Sequence, residues 1–366
     1  MGLCVGMLTS GGDCQGLNSA MRGVAKRLYE ADRDTRVIGF TDGYAGLMNR
    51  NYREMAYSDF SGILTLGGTI LGTSRQPFKT VNNPLDPEKK DGPTRAEAMI
   101  RTYKELKLDA LVILGGNGSH KTAHMLSERG LNIITIPKTI DNDLAETDMT
   151  FGFQSAVNIA TEVIDGIHTT ATSHGRVFII EIMGHKVGWL TLYAGIAGGA
   201  DVILIPEIPY DPMAIVKAIK KREADRKRFS IIAIAEGAKS KEEAALSKAD
   251  YIARITKSAN LSVAYRLAAL LEKMMVREIR CVVPGHFQRG GTPSAYDRVL
   301  TTALGVKAGD CILSKKFGLM MAVRNNAIVT VPLSEVANKL KAIPADHYLI
   351  ETARKTGIYF GDEKTI

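Results

Sequence analysis

Residues 3–30 read LCVGMLTSGGDCQGLNSAMRGVAKRLYE. Residues 3–9 are a short apolar run, the signature of a strand buried on both faces. SGGDCQG at 10–16 is a glycine-rich turn, and from 17 to 30 apolar residues return at helical spacing. Strand, tight turn and helix in that order form one unit of a parallel sheet covered by helices.

Outward from there the same grammar repeats. Apolar runs predict strands at 36–40, 110–114, 133–136, 177–182, 202–205, 230–235 and 280–283. The run at 110–114 is followed by GGNGS and a helix from His120, that at 133–136 by PKTIDND, and that at 177–182 by MGHKVG and a helix through Ala197. Residues 76–95, rich in proline and charge, predict an exposed loop with a helix start at Thr94. The expected class is α/β with two doubly wound, Rossmann-like lobes of parallel sheet, with ligands in the cleft at the carboxyl ends of the strands.

The chain has 366 residues, 45% hydrophobic and 23% charged. These values exclude a disordered chain, a collagen-like fibre and a disulfide scaffold. The formal charge is +8, which raises the question of nucleic acid. The densest basic run, 217–228, is interrupted by acids, and aromatics are only 6%, leaving few platforms for stacked bases. A small anionic substrate is the expected partner, with no nucleic acid. Cys4, Cys14, Cys281 and Cys311 form no metal-ligand spacing; Cys14 lies in the glycine turn, but the sequence offers no base to activate it. The start MGLCVGMLTSGGD has neither a signal-peptide nor a myristoylation pattern, and no run of about 18 uncharged apolar residues appears. A cytoplasmic protein with reduced thiols and no membrane contact is expected.

The chemistry gathers behind the strands. In SGGD at 10–13 and GGNGS at 115–119, glycines let backbone N–H groups face an anion at a helix start. Each alone is a packing turn as often as a binding loop; two at parallel strand ends suit one polyphosphate. In PKTIDND at 137–143, a lysine, a hydroxyl and two carboxylates follow an apolar strand. An extended segment sends Asp141 and Asp143 the same way. One carboxylate there suits the proton of an attacking hydroxyl, and the other suits Mg²⁺. A helix-capping Asx turn is the plainer alternative. Arg75, Arg176, Arg280 and the GHFQRGG run at 285–291 carry side chains suited to phosphate; any one alone is more often a surface ion-pair partner, and their shared position near strand termini is what favours binding. Together these features suggest phosphoryl transfer without naming its substrates.

TSGGDCQGLNSAMRG, LGGTILGTSR, LGGNGS, PKTIDND, EIMGHKVGW, AEGAK and PGHFQRGG occur in this order, and the chain resembles the 6-phosphofructokinases from about residue 3 to its C-terminal IYFGD. The resemblance implies Mg²⁺-assisted phosphoryl transfer to the 1-hydroxyl of fructose 6-phosphate, in a bacterial branch that mixes ATP and pyrophosphate users. It implies Asp141 as base, Thr139 orienting the phosphoryl group, and Asp143 assisting the metal. Gly12, Arg75, Gly116, Asn117, Gly118, Ser119 and Lys138 would bind the donor. Met183, Gly184, His185, Glu236, His286 and Arg289 would bind the sugar phosphate, with Thr139 and Asp141 facing it. Arg176, also counted as catalytic, and Arg280 match arginines supplied by a neighbouring subunit, so a homodimer or homotetramer with shared sites is implied. The metal set would be Asn117, Asp141 and Asp143.

Three departures stand out: Asn117 where many members carry Asp, His185 where many ATP users carry Arg, and Thr41 where some place an aromatic. His185 would make sugar-phosphate binding sensitive to pH near an ordinary imidazole pKa of about 6.5. For the donor, Gly118 leaves room for a nucleotide, whereas pyrophosphate users typically carry Asp there; Lys138 is the residue usual in pyrophosphate users. A missing repulsive element cannot reject ATP, so ATP is expected, with the pyrophosphate-dependent enzyme as the alternative. A catalytically silent ligand-binding paralogue is the remote one; a lipid or NAD kinase accounts for one loop only. The expected lobes are 1–138 plus 260–307 for the donor and 139–259 plus 308–366 for the sugar phosphate.

Overall fold

A computed structural model of the chain describes residues 2–89 and 91–362. Its first strands are β1 (Cys4–Ser10), β2 (Arg36–Phe40), β3 (Tyr52–Met55), β4 (Ala110–Gly115) and β5 (Ile133–Pro137). Then follow β6 (Val177–Ile182), β7 (Val202–Leu204), β8 (Ser230–Ala235), β9 (Ile279–Val282), β10 (Leu319–Arg324) and β11 (Ala327–Pro332). Every strand expected from an apolar run is present. They form two sheets, ordered β11-β10-β5-β4-β1-β2-β3 and β7-β8-β6-β9.

Two compact units result. The first comprises Met1–Ile140, Leu144–Ser155 and Arg289–Leu340, and the second Asp141–Asp143, Ala156–Gln288 and Lys341–Ile366. The expected lobe boundaries therefore need correction: residues 260–288 group with the second unit and residues 308–340 with the first. The reason is packing. Val263, Leu267 and Leu271 of the helix Val263–Leu271 join the core of β6 and β8, whereas β10 extends the larger sheet beside β5.

The first sheet is parallel from β10 through β2, with an antiparallel strand at each edge. The expected α/β class with parallel sheets is borne out, the antiparallel strands being confined to the two edges of this sheet. Asn325 and Asn326 have φ of +50° and +61°, the left-handed pair that closes a two-residue hairpin, and so β11 folds back on β10. The second sheet is parallel throughout.

Strand order sets where ligands can bind. From β1 the chain goes to β2 on one side and later returns through β4 on the other. The loops after β1 and β4 therefore leave the sheet in opposite directions, opening a crevice at the carboxyl ends. β1 and β4 pair through Ser10 and Gly115, so SGGD and GGNGS start side by side. β4 and β5 pair through Gly115 and Pro137, which brings PKTIDND alongside.

Candidate active site

In the first unit three loops are fastened to one another. Ser119 Oγ donates to Ser10 Oγ at 3.0 Å, and Lys138 N donates to the Gly115 carbonyl at 3.0 Å. The buried Lys138 reaches across, its ammonium hydrogen-bonded to the Gly12 carbonyl. Gly115 is required by this closeness, because a Cβ there would lie 2.3 Å from Ser119 Cβ. A fourth segment joins at 69–75: Gly11 N donates to Ser74 O at 3.1 Å and Thr73 Oγ1 to Gly11 O at 2.7 Å. Arg75 follows directly and is exposed. Gly12, Arg75, Gly116, Asn117, Gly118, Ser119 and Lys138 thus belong to one cluster of loops.

The helix after β4 spans Asn117–Glu128, starting three residues before the expected His120. Its N-terminal amides and dipole face the crevice, a ready anion site. Asn117 Nδ2 donates to Lys339 O at 2.9 Å. Gly118 is exposed, and a Cβ there would meet nothing within 4 Å.

Two supports of this helix were not foreseen. Tyr44, fully buried, donates its hydroxyl to Ser119 O at 2.9 Å, and burial pushes its ionisation well above the ordinary phenol range. His120 Nδ1 lies 2.9 Å from Gly116 O. Burial lowers the His120 pKa to about 4, so the ring is neutral and Nδ1 carries the proton it donates. Tyr44 had no sequence signal, since its partner lies in a distant segment; the partner of His120 is four residues back, but the burial that makes the bond matter comes from tertiary packing.

PKTIDND does not run as an extended strand past Lys138. Residues 139–144 hold no regular structure, and Asn142 takes a left-handed φ of +53°. The expectation that alternation aims Asp141 and Asp143 the same way is corrected, because period-two geometry does not survive that turn. The helix-capping alternative fails too, since the next helix begins at Phe153. Thr139, Asn142 and Asp143 are buried and Asp141 is half-buried. Thr139 O accepts from Thr150 Oγ1 at 2.8 Å.

In the second unit the turn after β6 is organised by one carboxylate. Glu236 Oε1, just past β8, accepts from Gly184 N at 3.3 Å and His185 N at 2.7 Å. His185 is exposed with φ +51°. Gly237 permits this, for a Cβ there would sit 2.2 Å from the His185 carbonyl. Met183 N donates to Gln288 Oε1 at 3.3 Å, bringing in the turn beyond β9 that carries the exposed His286. Met183, Gly184, His185, Glu236 and His286 therefore share the carboxyl end of the second sheet.

Arg289 falls in the first unit. Its Nη1 donates to Asp13 O at 2.9 Å, and a Cβ on Gly12 would come within 2.9 Å of that nitrogen. Arg176 and Arg280 lie at the opposite end of the second sheet, beside the amino ends of β6 and β9. Both pair with Glu278, Arg176 Nε at 2.5 Å. At roughly 3.3 Å per strand residue, roughly 20 Å of β6 separates Arg176 from Met183.

For a metal, the described residues contain no group of three His, Cys, Asp or Glu side chains arranged as a cage. Mg²⁺ needs none: it keeps several waters and takes one or two carboxylates with substrate phosphates. Asp141, Asp143 and the Asn117 amide oxygen fit such a set in their chemistry; the Asn117 nitrogen is committed to Lys339.

Cys14 is buried and its thiol is pushed up to about 12, so it is no nucleophile. No helix among the described residues is long and apolar enough to cross a membrane. A cavity of 690 Å³ in the second unit, bordered by Met213, Lys241, Arg254 and Leu270, contains none of the expected site residues.

Comparison with known proteins gives consistent results. A family model described as phosphofructokinase matches residues 4–312. A protein of Spirochaeta thermophila named ATP-dependent 6-phosphofructokinase is 52% identical over 98% of this chain and 97% of its own. One of the same name from Propionibacterium freudenreichii subsp. shermanii is 46% identical over 99% of this chain and 100% of its own. Among solved structures, a pyrophosphate-dependent phosphofructokinase of Marinobacter aquaeolei aligns with a TM-score of 0.79. It covers 98% of this chain and 88% of that one at 23% identity, a likeness of fold.

Proposed function

The chain belongs to the phosphofructokinase family, and from that premise we propose that it is an ATP-dependent 6-phosphofructokinase, transferring a phosphoryl group from ATP to the 1-hydroxyl of fructose 6-phosphate. The observation that carries this reading is the fastening of the SGGD, GGNGS and PKTIDND loops to one another at the switch point of the first sheet. A polyphosphate cradle thereby leads within four residues into a half-buried carboxylate.

The N-terminal amides at Asn117–Ser119, the Lys138 ammonium and Arg75 hold the phosphates and offset the charge that spreads over the transferring group. Thr139 orients that group. Asp141 accepts the proton of the 1-hydroxyl as its oxygen attacks phosphorus, and the phosphorus–oxygen bond to ADP breaks. Asp141, Asp143 and Asn117 would hold Mg²⁺, and the metal would supply neutralisation of phosphate charge. Met183, Gly184, His185, Glu236 and His286 position the sugar phosphate. Arg289, given the sugar 6-phosphate by resemblance, also has a part in the donor loop through Asp13.

ATP is favoured over pyrophosphate by the open space at Gly118 and by the names of the relatives. Lys138 favours the rival, a pyrophosphate-dependent enzyme, because its ammonium sits on the donor loop. Arg176 and Arg280 act from a second copy of the chain in a homodimer or homotetramer with shared sites. Their place at the amino ends of β6 and β9 supports this, since one chain cannot bring them to its own Met183. The test is fructose 1,6-bisphosphate formation with Mg²⁺ and either ATP or pyrophosphate at equal concentration. ATP alone supporting turnover is the expected result; pyrophosphate alone overturns the donor assignment.

A further inference from the structure

The loop bearing Asp141 has no ladder of its own, so something must hold its left-handed turn. Asn142 is buried there with φ +53°, a left-handed conformation that asparagine tolerates but that leaves the loop's direction to be set by its partners. Within the second unit, to which Asp141–Asp143 belong, a strap from near the C-terminus holds the turn. Lys341 Nζ donates to Asn142 Oδ1 at 2.9 Å, and Lys341 N donates to Asp143 O at 2.9 Å. The Lys341 carbonyl in turn accepts from Trp189 Nε1 at 2.8 Å, and the ammonium lies 5.4 Å from the centre of the indole.

The other end of the strap is equally fixed. Trp189 is buried and meets the His347 ring edge-on at 5.0 Å. Two residues past Lys341, Ile343 N donates to Glu207 Oε1 at 3.1 Å. The same oxygen accepts from Gly188 N at 3.0 Å, at the end of the turn that begins with Met183. One strap therefore grips the loop of the proposed base and, through Glu207, the turn of the proposed sugar-phosphate site.

We propose that Lys341 is a positioning residue for the phosphoryl transfer, its ammonium and backbone together holding Asn142 and Asp143 so that Asp141 meets the sugar hydroxyl; this rests on the reaction proposed above. Three features separate it from ordinary packing. The bonds fall on both residues following Asp141. One is charge-assisted, and such bonds are roughly twice as strong as neutral ones. The indole offers the ammonium a face and so limits where it can swing.

The experiment compares wild type, Lys341→Met and Lys341→Arg, with Trp189→Phe as a second disruption that keeps the lysine. For each, kcat, the KM for ATP and the thermal midpoint are measured. Misplacing a reacting group by about 1 Å costs on the order of a hundredfold in rate. Lys341→Met is expected to lose kcat by roughly tenfold to a hundredfold with the KM for ATP and the midpoint nearly unchanged. Lys341→Arg should recover most of that rate, and Trp189→Phe should fall between. A Lys341→Met enzyme with wild-type kcat overturns the proposal alone. So does one whose only defect is a lower midpoint, since that is a packing role. A wild-type chain silent with both ATP and pyrophosphate overturns the reaction itself, and the proposal with it.

Discussion

Gly118 is the residue at which the proposed choice between donors is made. A Cβ built there touches nothing, so an aspartate would fit without strain and its effect would be purely electrostatic. Two like charges about 4 Å apart at an effective dielectric near 20 repel by about 4 kcal/mol. After allowance for solvent screening, Gly118→Asp should lower kcat/KM for ATP on the order of a hundredfold while leaving the thermal midpoint in place. An unchanged kcat/KM would mean that the nucleotide passes elsewhere. His120 gives a second expectation at this scale. Its pKa is about 4 in the folded chain, lowered by burial, against about 6.5 when unfolded. Above pH 6.5 the ring is neutral in both states and its contribution is intact. As pH falls from 6.5 toward 4 the unfolded chain takes up a proton that the folded chain refuses, so stability drops, by at most about 3 kcal/mol. His120→Asn, which keeps a donor for Gly116 O, should flatten the melting profile over that window; equal slopes would remove the assignment.

At the scale of elements, strands with two buried faces were the readily legible part. β2, β6 and β8 coincide with their apolar runs, and β1, β4 and β5 differ by a residue or so, because a central strand has nowhere to expose polarity. β3 and the β10–β11 hairpin were missed: the edge strand β3 carries charge, as in YREM, and looks like a loop, whereas β10 is an interior apolar run, LMMAVR, that was passed over. The hairpin closes on Asn325 and Asn326, so a β-branched residue at its second position should be costly. Asn326→Val is expected to lower stability by about 1–2 kcal/mol, read as an earlier urea midpoint with unchanged slope. The candidate site was legible where function sits in a contiguous motif, as in GGNGS and PKTIDND. It was not legible where partners are remote: Tyr44 beneath Ser119, Arg289 on Asp13 and Lys341 on Asn142 are each fixed by tertiary packing. The aim of Asp141 and Asp143 was misjudged for a local reason, since Asn142 tolerates a left-handed turn that alternation does not anticipate.

At the scale of the whole molecule, the place of Arg176 and Arg280 makes a quantitative demand. If each site joins Asp141 of one copy to Arg176 of another, two dead chains can make a living pair. Asp141→Asn and Arg176→Ala should each be nearly inactive alone. Random pairing of equal amounts puts half the dimers in mixed form with one intact site in two, so co-expression should restore about a quarter of wild-type activity. No recovery in pairs shown to have mixed would mean that each chain completes its own site.

The interleaving of the two units also has a consequence in time. β5 is made by residue 137, but its neighbour β10 begins only at Leu319. A ribosome adding roughly 5–20 residues per second leaves that edge of β5 without its partner for roughly 10–40 s, while the whole second sheet is being synthesised. An apolar, unpaired strand edge is a template for intermolecular pairing. Nascent chains of this protein halted before residue 319 should therefore be the aggregation-prone species, and chaperone demand should fall sharply once the Leu319–Arg324 strand has emerged.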